Sequence, residues 1–265
     1  MRVLFGLILI CVYSAAISQT TLGNEPKPKP GIERPAATKK HKILLVPFEP
    51  KMYMSQIDHK INAETKWSQQ KIKANFRDGV DEQLYKKLKQ HFDVISLLDD
   101  TVKYKKDLFK IYQHLTYKYE KVPDQEHYTA PKSDKEKPTI KNGQLVVETN
   151  TDARFMNAKI TSAALVPELF AKYKTDLFVF INQMDITAGE TPASGDFGTQ
   201  AQRTITLHYT VYTVDAKEIN SGTCSVKFPV DVNNPTKIIS SYISKIAEEI
   251  NRRIEKALTP VIEKK

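Results

Sequence analysis

Residues 43–48 read Ile-Leu-Leu-Val-Pro-Phe, and this run decides the fold. Its apolar part is continuous and short, which is typical of a buried strand with cover on both faces. Pro47 lies inside the run and Pro50 follows it, and the two prolines end the strand. The sequence therefore predicts an opening strand that is buried on both faces.

A strand–helix–strand unit follows from the next two segments. Apolar residues recur every four positions, which predicts a long amphipathic helix over about 64–90. Five residues share its apolar face: Ile72, Phe76, Val80, Leu84 and Leu88. We expect Gly79 to let this helix approach the sheet closely. Residues 92–98 form the second strand, which runs parallel to the first because such crossovers are right-handed.

The second half of the chain predicts further strands and helices. A helix over 163–173 turns Leu165, Leu169 and Phe170 inward. The remaining elements are an apolar strand over 177–181, an alternating strand over 204–214, its antiparallel return over 223–230, and an amphipathic helix from Ile238 to Ala257 that ends before Pro260.

The predicted fold class is α+β, with an α/β-like start. We expect a mixed sheet of four or five strands with helices packed mainly on one face, closed by a C-terminal hairpin and helix. One α/β domain spans 42–260. A mobile insertion over about 120–142 interrupts it, because this segment is rich in proline and charge and has no periodicity. After Asn142-Gly143 we expect a short edge strand or hairpin arm.

Residues 1–18 have the pattern of a secretory signal peptide. Arg2 precedes an apolar run over 3–12, which is too short for a membrane span of about 20 residues. Small residues at Ala16 and Ser18 predict cleavage after Ser18, with cleavage after Ala16 as the alternative. We therefore expect the mature protein in the periplasm or outside the cell.

The two cysteines and the segment after the signal refine this expectation. Cys11 lies inside the apolar run directly after Ile10, so a lipid anchor there is not expected. Residues 19–41 alternate proline with charge and predict an extended tether. Cleavage leaves Cys224, which excludes an internal disulfide. We expect a buried, inert thiol, and pairing with another chain stays open.

The net charge of +9 favours anionic partners. These are an acidic face of another envelope protein, an anionic glycan or a lipid headgroup. Nucleic acid is not expected, because no nucleic-acid module is recognisable. Lysine also serves solubility, which explains the same excess. The sequence leaves the oligomeric state open.

The residues that carry most enzyme chemistry do not form motifs here. The histidines show no pair with another His or Cys at metal-ligand spacing, and no nucleophile elbow or phosphate-binding glycine loop is present. His208 is predicted to face solvent or a helix, and Asp99 and Asp100 to be solvated or to cap a helix. We expect no catalytic residue, cofactor or metal.

Tyrosines and lysines interleave between residues 103 and 119. They could form an aromatic and basic contact surface, and aromatics that cover the helix edge of the sheet explain the pattern equally well. The candidate interaction surface comprises Tyr104, Lys106, Lys110, Tyr112, Tyr117 and Tyr119.

Three stretches resemble a group of exported bacterial domains. They are the strand and Pro-Phe at 43–48, the second strand at 92–98, and the later strands at 175–180 and 204–215. The group contains the curli secretion channel subunit, the lipoprotein activator of penicillin-binding proteins and the N-terminal domain of TolB. The resemblance covers about 43–100 and 163–257. It implies a non-enzymatic domain whose surfaces bind other envelope proteins.

The sequence thus predicts a periplasmic accessory or assembly protein of the cell envelope that acts through protein–protein contacts. The alternative is a protein that binds a polyanionic envelope component. A hydrolase with an unrecognised site is a third hypothesis.

Overall fold

Strand β1 (Lys42–Val46) lies inside the main sheet of the computed structural model. It pairs in parallel with β3 (Asp93–Ser96) on one side and with β8 (Leu177–Ile186) on the other. Ile43 and Leu44 are both 0% exposed, although their side chains point to opposite faces. The parallel strand–helix–strand start and the buried opening strand are therefore confirmed.

The structure describes most of the chain after the predicted tether. The described residues are 40–130, 139–141, 144–146, 153–189 and 201–259. The predicted signal peptide, Cys11, the cleavage site at Ser18 and the tether up to residue 39 lie outside them, as do residues 131–138 and 142 of the predicted insertion.

The main sheet has six strands, one more than the upper limit of the prediction. The strands not yet named are β9 (Gln202–Thr213) and β10 (Glu218–Pro229), which were predicted, and β2 (Tyr53–Ser55), which was not. Five of the six lie in the order β10-β9-β8-β1-β3, and β2 pairs with β8 beyond the end of β1. Because β8, β9 and β10 are antiparallel neighbours, the sheet is mixed and the α+β class is confirmed.

Four helices, including the two longest in the described residues, cover one face of this sheet. They are α1 (Asp58–Thr65), α2 (Gln69–Leu88), the short α5 (Pro235–Ile238) and α6 (Ser244–Leu258), with a π-helical segment at Ile239–Ile243 between the last two. Their apolar stripes form one large core with alternate residues of β1, β8 and β9. No helix in the described part of the chain is long and apolar enough to cross a membrane.

The helix predicted over about 64–90 corresponds to α2, and a separate helix, α1, precedes it. Lys66 ends α1 in the left-handed conformation, with φ at 59°. The Ser68 side chain then accepts a hydrogen bond from the Lys71 amide at 3.2 Å and caps α2. A serine at this position supplies the acceptor that the first turn lacks. The apolar periodicity predicted the helix correctly, but its start is wrong by five residues.

Two further helices cover the opposite face, which the prediction left largely bare. They are α3 (Lys105–Gln113) and α4 (Leu165–Tyr173), and they form a second core with Leu44 of β1. Phe170 of α4 is 43% exposed, so its predicted inward orientation is wrong. It lies at the margin of the apolar stripe that Leu165 and Leu169 define.

A ribbon of two antiparallel strands covers the rest of this second face. Its strands are β4 (Leu115–Lys121) and β7 (Arg154–Ile160), and neither was predicted. Glu120 is only 1% exposed, so the segment predicted to be a mobile insertion begins inside a strand. Further along, Gln125 donates to the Ser221 carbonyl at 2.8 Å and is held against β10. A predicted hairpin arm is confirmed as β5 (Thr139–Lys141) and β6 (Gln144–Val146).

Gly79 packs against a helical segment, whereas the prediction placed it against the sheet. A Cβ atom at this position would lie 2.5 Å from Cδ1 and 2.8 Å from both γ-carbons of Ile239. Ile239 begins the π-helical segment and is 7% exposed. The glycine therefore sets how closely α2 approaches this segment.

We expect Gly79→Ala to destabilise the protein by about 1–2 kcal/mol. Alanine favours the helix by about 1 kcal/mol, but the forced displacement of Ile239 costs more. Denaturant unfolding measures the difference. In an Ile239→Ala background the same change should become neutral or stabilising, and equal destabilisation in both backgrounds would contradict the packing account.

Candidate functional site

The structure places Tyr112 inside the protein. Its hydroxyl donates to the Pro47 carbonyl at 2.8 Å and accepts from Arg77 Nη2 at 3.0 Å. Burial raises the pKa of Tyr112 to about 12, although the Arg77 guanidinium acts in the opposite direction. Tyr112 thus fastens α3 to the end of β1, and its hydroxyl is not available to a partner.

Two other predicted residues brace α3 against α4. Lys110 forms an ion pair with Glu168, and the ring of Tyr104 packs edge-on against Tyr173 with centroids 5.9 Å apart. Asp107 completes the contact, because it accepts from Lys172 Nζ and from the Tyr173 hydroxyl, each at 2.7 Å. Burial raises the pKa of Asp107, but these two hydrogen bonds outweigh it and the net shift is downward.

Apolar side chains on or shortly before these two helices are exposed. Val102 is 88% exposed, Phe109 64% and Phe170 43%. Lys106 is exposed on the same helix as Phe109. We call these four residues, with the outer sides of α3 and α4, the α3–α4 surface. Isolated exposed apolar residues are ordinary, but three of the five large hydrophobic side chains that are exposed in the described residues lie on or shortly before α3 and α4.

Sequence reasoning found only part of this surface. It selected Tyr104, Lys106 and Lys110 and passed over Phe109. The helical spacing of Leu108 and Ile111, which is visible in the sequence, defines the buried side of α3. Phe109 falls outside that stripe.

The last two predicted residues belong to the ribbon. Tyr117 is half-buried against the second core. Tyr119 is 53% exposed, and its hydroxyl accepts from Gln183 Nε2 at 3.3 Å. The six predicted residues therefore divide between an outward surface, an internal hydrogen bond and the ribbon.

A buried polar network attaches the ribbon to the main sheet. Lys159 Nζ lies 3.0 Å from Glu120 Oε2 and 3.0 Å from Glu218 Oε2. Asn157 donates to Glu120 Oε2 at 2.7 Å and accepts from the Thr210 hydroxyl at 2.6 Å. Since these groups lie on β4, β7, β9 and β10, the network fixes the position of the ribbon by hydrogen bonds.

His208 belongs to the same layer and is 4% exposed. The prediction that it faces solvent or a helix is wrong. Its Nδ1 atom accepts from the Met156 amide at 2.8 Å, and its Nε2 atom lies 2.9 Å from Asp185 Oδ2. His208, on the alternating strand β9, thus contacts β7 of the ribbon. No local sequence pattern encodes this contact.

Asp81 is a buried carboxyl at the contact between α2 and β3. Ser96 Oγ accepts the Leu98 amide at 2.9 Å and donates to Asp81 Oδ2 at 2.5 Å, while Asp81 Oδ1 is buried without a partner. Burial raises the pKa of Asp81 to about 7, against the lowering effect of the Ser96 hydrogen bond. A groove of about 330 Å³ beside α2 reaches Arg77 and Asp78 but is not lined by Asp81.

The described residues offer little else for chemistry. Among them, no group of three or more His, Cys, Asp or Glu side chains could hold a metal ion. Cys224 is 3% exposed, and burial raises its pKa to about 12, so the thiol stays protonated. Asp100 is exposed, as predicted, and accepts from the amides of Val102 and Lys103 in the turn before α3.

Comparison with known proteins gives weak structural likenesses only. No protein-family model matches the chain, and no curated protein sequence does. The hypothetical protein CT253 from Chlamydia trachomatis is 9% identical, with a TM-score of 0.39 over 81% of this chain and 98% of that one. The lipoprotein GNA1162 from Neisseria meningitidis is 10% identical, with a TM-score of 0.36 over 82% and 99%.

A third similar structure is a putative neuraminyllactose-binding hemagglutinin homolog from Helicobacter pylori. It is 11% identical, with a TM-score of 0.28 over 84% of each chain. All three are bacterial proteins. The resemblance to the curli, penicillin-binding-protein activator and TolB group stays a prediction, and function must be argued from the geometry of this chain.

We expect Asp81→Asn to stabilise the protein at pH 8.5 by about 2 kcal/mol and to leave it nearly unchanged at pH 4. Between pH 3.8 and about 7 the folded carboxyl holds a proton that the unfolded chain releases, so its contribution to stability is lost as the pH rises. Urea unfolding at several pH values measures this. Asp93→Asn, at an exposed carboxyl, is the control; a parallel pH dependence for Asp81→Asn and the unmodified protein would contradict the account.

Proposed function

We propose that this chain is a non-enzymatic accessory or assembly protein of the bacterial cell envelope, and that it docks onto a protein partner through the α3–α4 surface. The observation that carries the proposal is the exposure of Val102, Phe109 and Phe170 beside lysines. Apolar anchors that become desolvated supply most of the energy of a protein interface, and a charged rim sets its orientation.

The charges around this surface favour an acidic partner. The carboxylates of Asp107 and Glu168 already pair with Lys172 and Lys110. Lys106 is exposed beside them, so the surface retains positive charge. The partner that fits is a protein with an apolar centre and an acidic rim, which would also gain association rate from electrostatic steering.

The internal bonding of the surface supports a role in binding. The cation and carboxylate pairs between α3 and α4 hold the two helices together before any partner arrives. A preformed surface loses little conformational entropy on docking. The non-enzymatic part of the proposal is supported by Cys224, whose thiol is buried and protonated, and by Tyr112, whose hydroxyl is held inside.

The envelope location rests on the sequence alone. A positive residue, a short apolar run and small residues near Ser18 are the features of an exported chain. We propose that the mature protein begins near residue 19 and works in the periplasm or outside the cell.

The test is recovery of a partner from crosslinked cells. We expect one stoichiometric protein with the unmodified chain and at least a tenfold loss with the double variant Phe109→Ser/Phe170→Ser. Both phenylalanines are exposed, so the fold should survive. Met54→Ser is the matched control, because Met54 is 56% exposed on β2 and lies far from both helices in the chain.

Equal recovery by the double variant and the control would contradict docking at this surface. Salt-dependent binding of the purified protein to vesicles with anionic lipid, together with no recovered protein, would instead favour the anionic-component alternative.

A further inference from the structure

His208 has both ring nitrogens engaged, and this fixes its protonation state. The Met156 amide can only donate, so Nδ1 must present its lone pair at the 2.8 Å contact. The ring proton is then on Nε2 and is donated to Asp185 Oδ2 at 2.9 Å. The closed arrangement therefore requires the neutral imidazole with its proton on Nε2.

Protonation of this ring is incompatible with the Met156 hydrogen bond. The imidazolium form carries hydrogens on both nitrogens, so Nδ1–H and the Met156 N–H would be two donors facing each other. Asp185 contacts the ring through Nε2 and stabilises the positive charge. The conflict is relieved when Met156, and with it β7, moves away from the sheet.

The groups around the ring come from four strands. From β8, Asp185 bonds the ring, and Gln183 donates to Asp185 Oδ1 at 2.7 Å. From β4, the Tyr119 hydroxyl reaches Gln183. Elsewhere in this layer Lys159 of β7 pairs with Glu120 of β4 and with Glu218 of β10, and Arg154 lies on β7 two residues before Met156. The carboxylate of Asp185 is thus the charge in direct contact with His208.

Movement of the ribbon reaches both helices of the α3–α4 surface. One residue, His114, separates α3 from β4, and four residues separate β7 from α4. The two junctions are also joined, because the Thr161 amide donates to the His114 carbonyl at 2.9 Å. A displacement of the ribbon is therefore transmitted to the C-terminal end of α3 and to the N-terminal end of α4.

We infer that His208 is a pH-sensitive latch that holds the ribbon closed at neutral pH and releases it, with α3 and α4, in acid. The consequence for docking rests on the proposed function, because the latch would then control whether the α3–α4 surface is formed.

The test is hydrogen–deuterium exchange of the purified chain at pH 7.5 and 5.0, corrected for the intrinsic effect of pH on exchange. We expect protection of β4, β7, α3 and α4 to fall at least tenfold at pH 5.0, while α2 and α6 keep theirs. Unchanged protection of the ribbon at pH 5.0 overturns the latch. A uniform loss over all of these elements also overturns it, since that is global unfolding.

His208→Gln separates the ring's titration from other effects of acid. A glutamine amide can accept from the Met156 amide and donate to Asp185, and it does not titrate. We expect the ribbon of this variant to stay protected at both pH values. His59→Gln is the control, because His59 is exposed on α1, and it should lose protection like the unmodified protein.

A loss of protection in acid that persists in His208→Gln contradicts the latch. If that variant is open even at pH 7.5, the imidazole ¹⁵N chemical shifts of the unmodified protein are measured as a function of pH. The latch requires that Nδ1 of His208 gains its proton over the same pH range in which the Met156 amide loses protection. Two separate pH ranges overturn the latch. Exchange is measured without a partner, so the latch and the docking proposal fail independently.

Discussion

The structure depends on a strand that is apolar on both faces. Ile43 and Leu45 lie in one core, Leu44 and Val46 in the other, and none of the four is more than 1% exposed. Full burial of one such side chain contributes about 1.5–3 kcal/mol, so both faces of β1 must be covered. Helices α1, α2 and α6 cover the first face. Helices α3 and α4 cover the part of the second face that β1 and β8 form. The two helices therefore lie side by side.

The remainder of the second face is held in a different way. Over β9 and β10 the ribbon is attached through Glu120, Asn157 and Lys159, which bond to one another and to the strands beneath. Buried polar groups stabilise only if they are paired, and an unpaired one costs about 1–3 kcal/mol. One oxygen of Glu120 and one of Asn182 are buried without a partner in this layer. The ribbon is therefore positioned by specific hydrogen bonds, and we expect it to be less stable than the helical face because an isolated two-stranded ribbon is marginal in water.

These two modes of cover also decide what could be predicted from the sequence. The apolar strands, α2 and the C-terminal hairpin follow from local periodicity, and all of them are confirmed. The ribbon does not follow from local periodicity, because Tyr117, Lys118 and Glu120 have the composition of a solvated segment. Glu120 becomes buried only through Asn157, 37 residues later. A contact of that separation leaves no trace in a local pattern.

The candidate site shows the same division. The lysines and tyrosines near α3 were identified by composition, but their roles depend on tertiary neighbours. Tyr112 is used inside because Pro47 and Arg77 meet it there, and Lys110 is paired because α4 places Glu168 opposite it. Phe109 was not selected because the candidate surface was chosen from the interleaved tyrosines and lysines alone.

Native-state hydrogen exchange at pH 7 in rising denaturant tests most directly whether the polar layer is the weaker one. The amides of β4 and β7 should exchange through a partial opening whose free energy lies below that of the amides in β1 and β8, because a detached two-stranded ribbon is only marginally stable in water. If all four strands exchange with one common free energy, the ribbon is an inseparable part of the core and this account is contradicted.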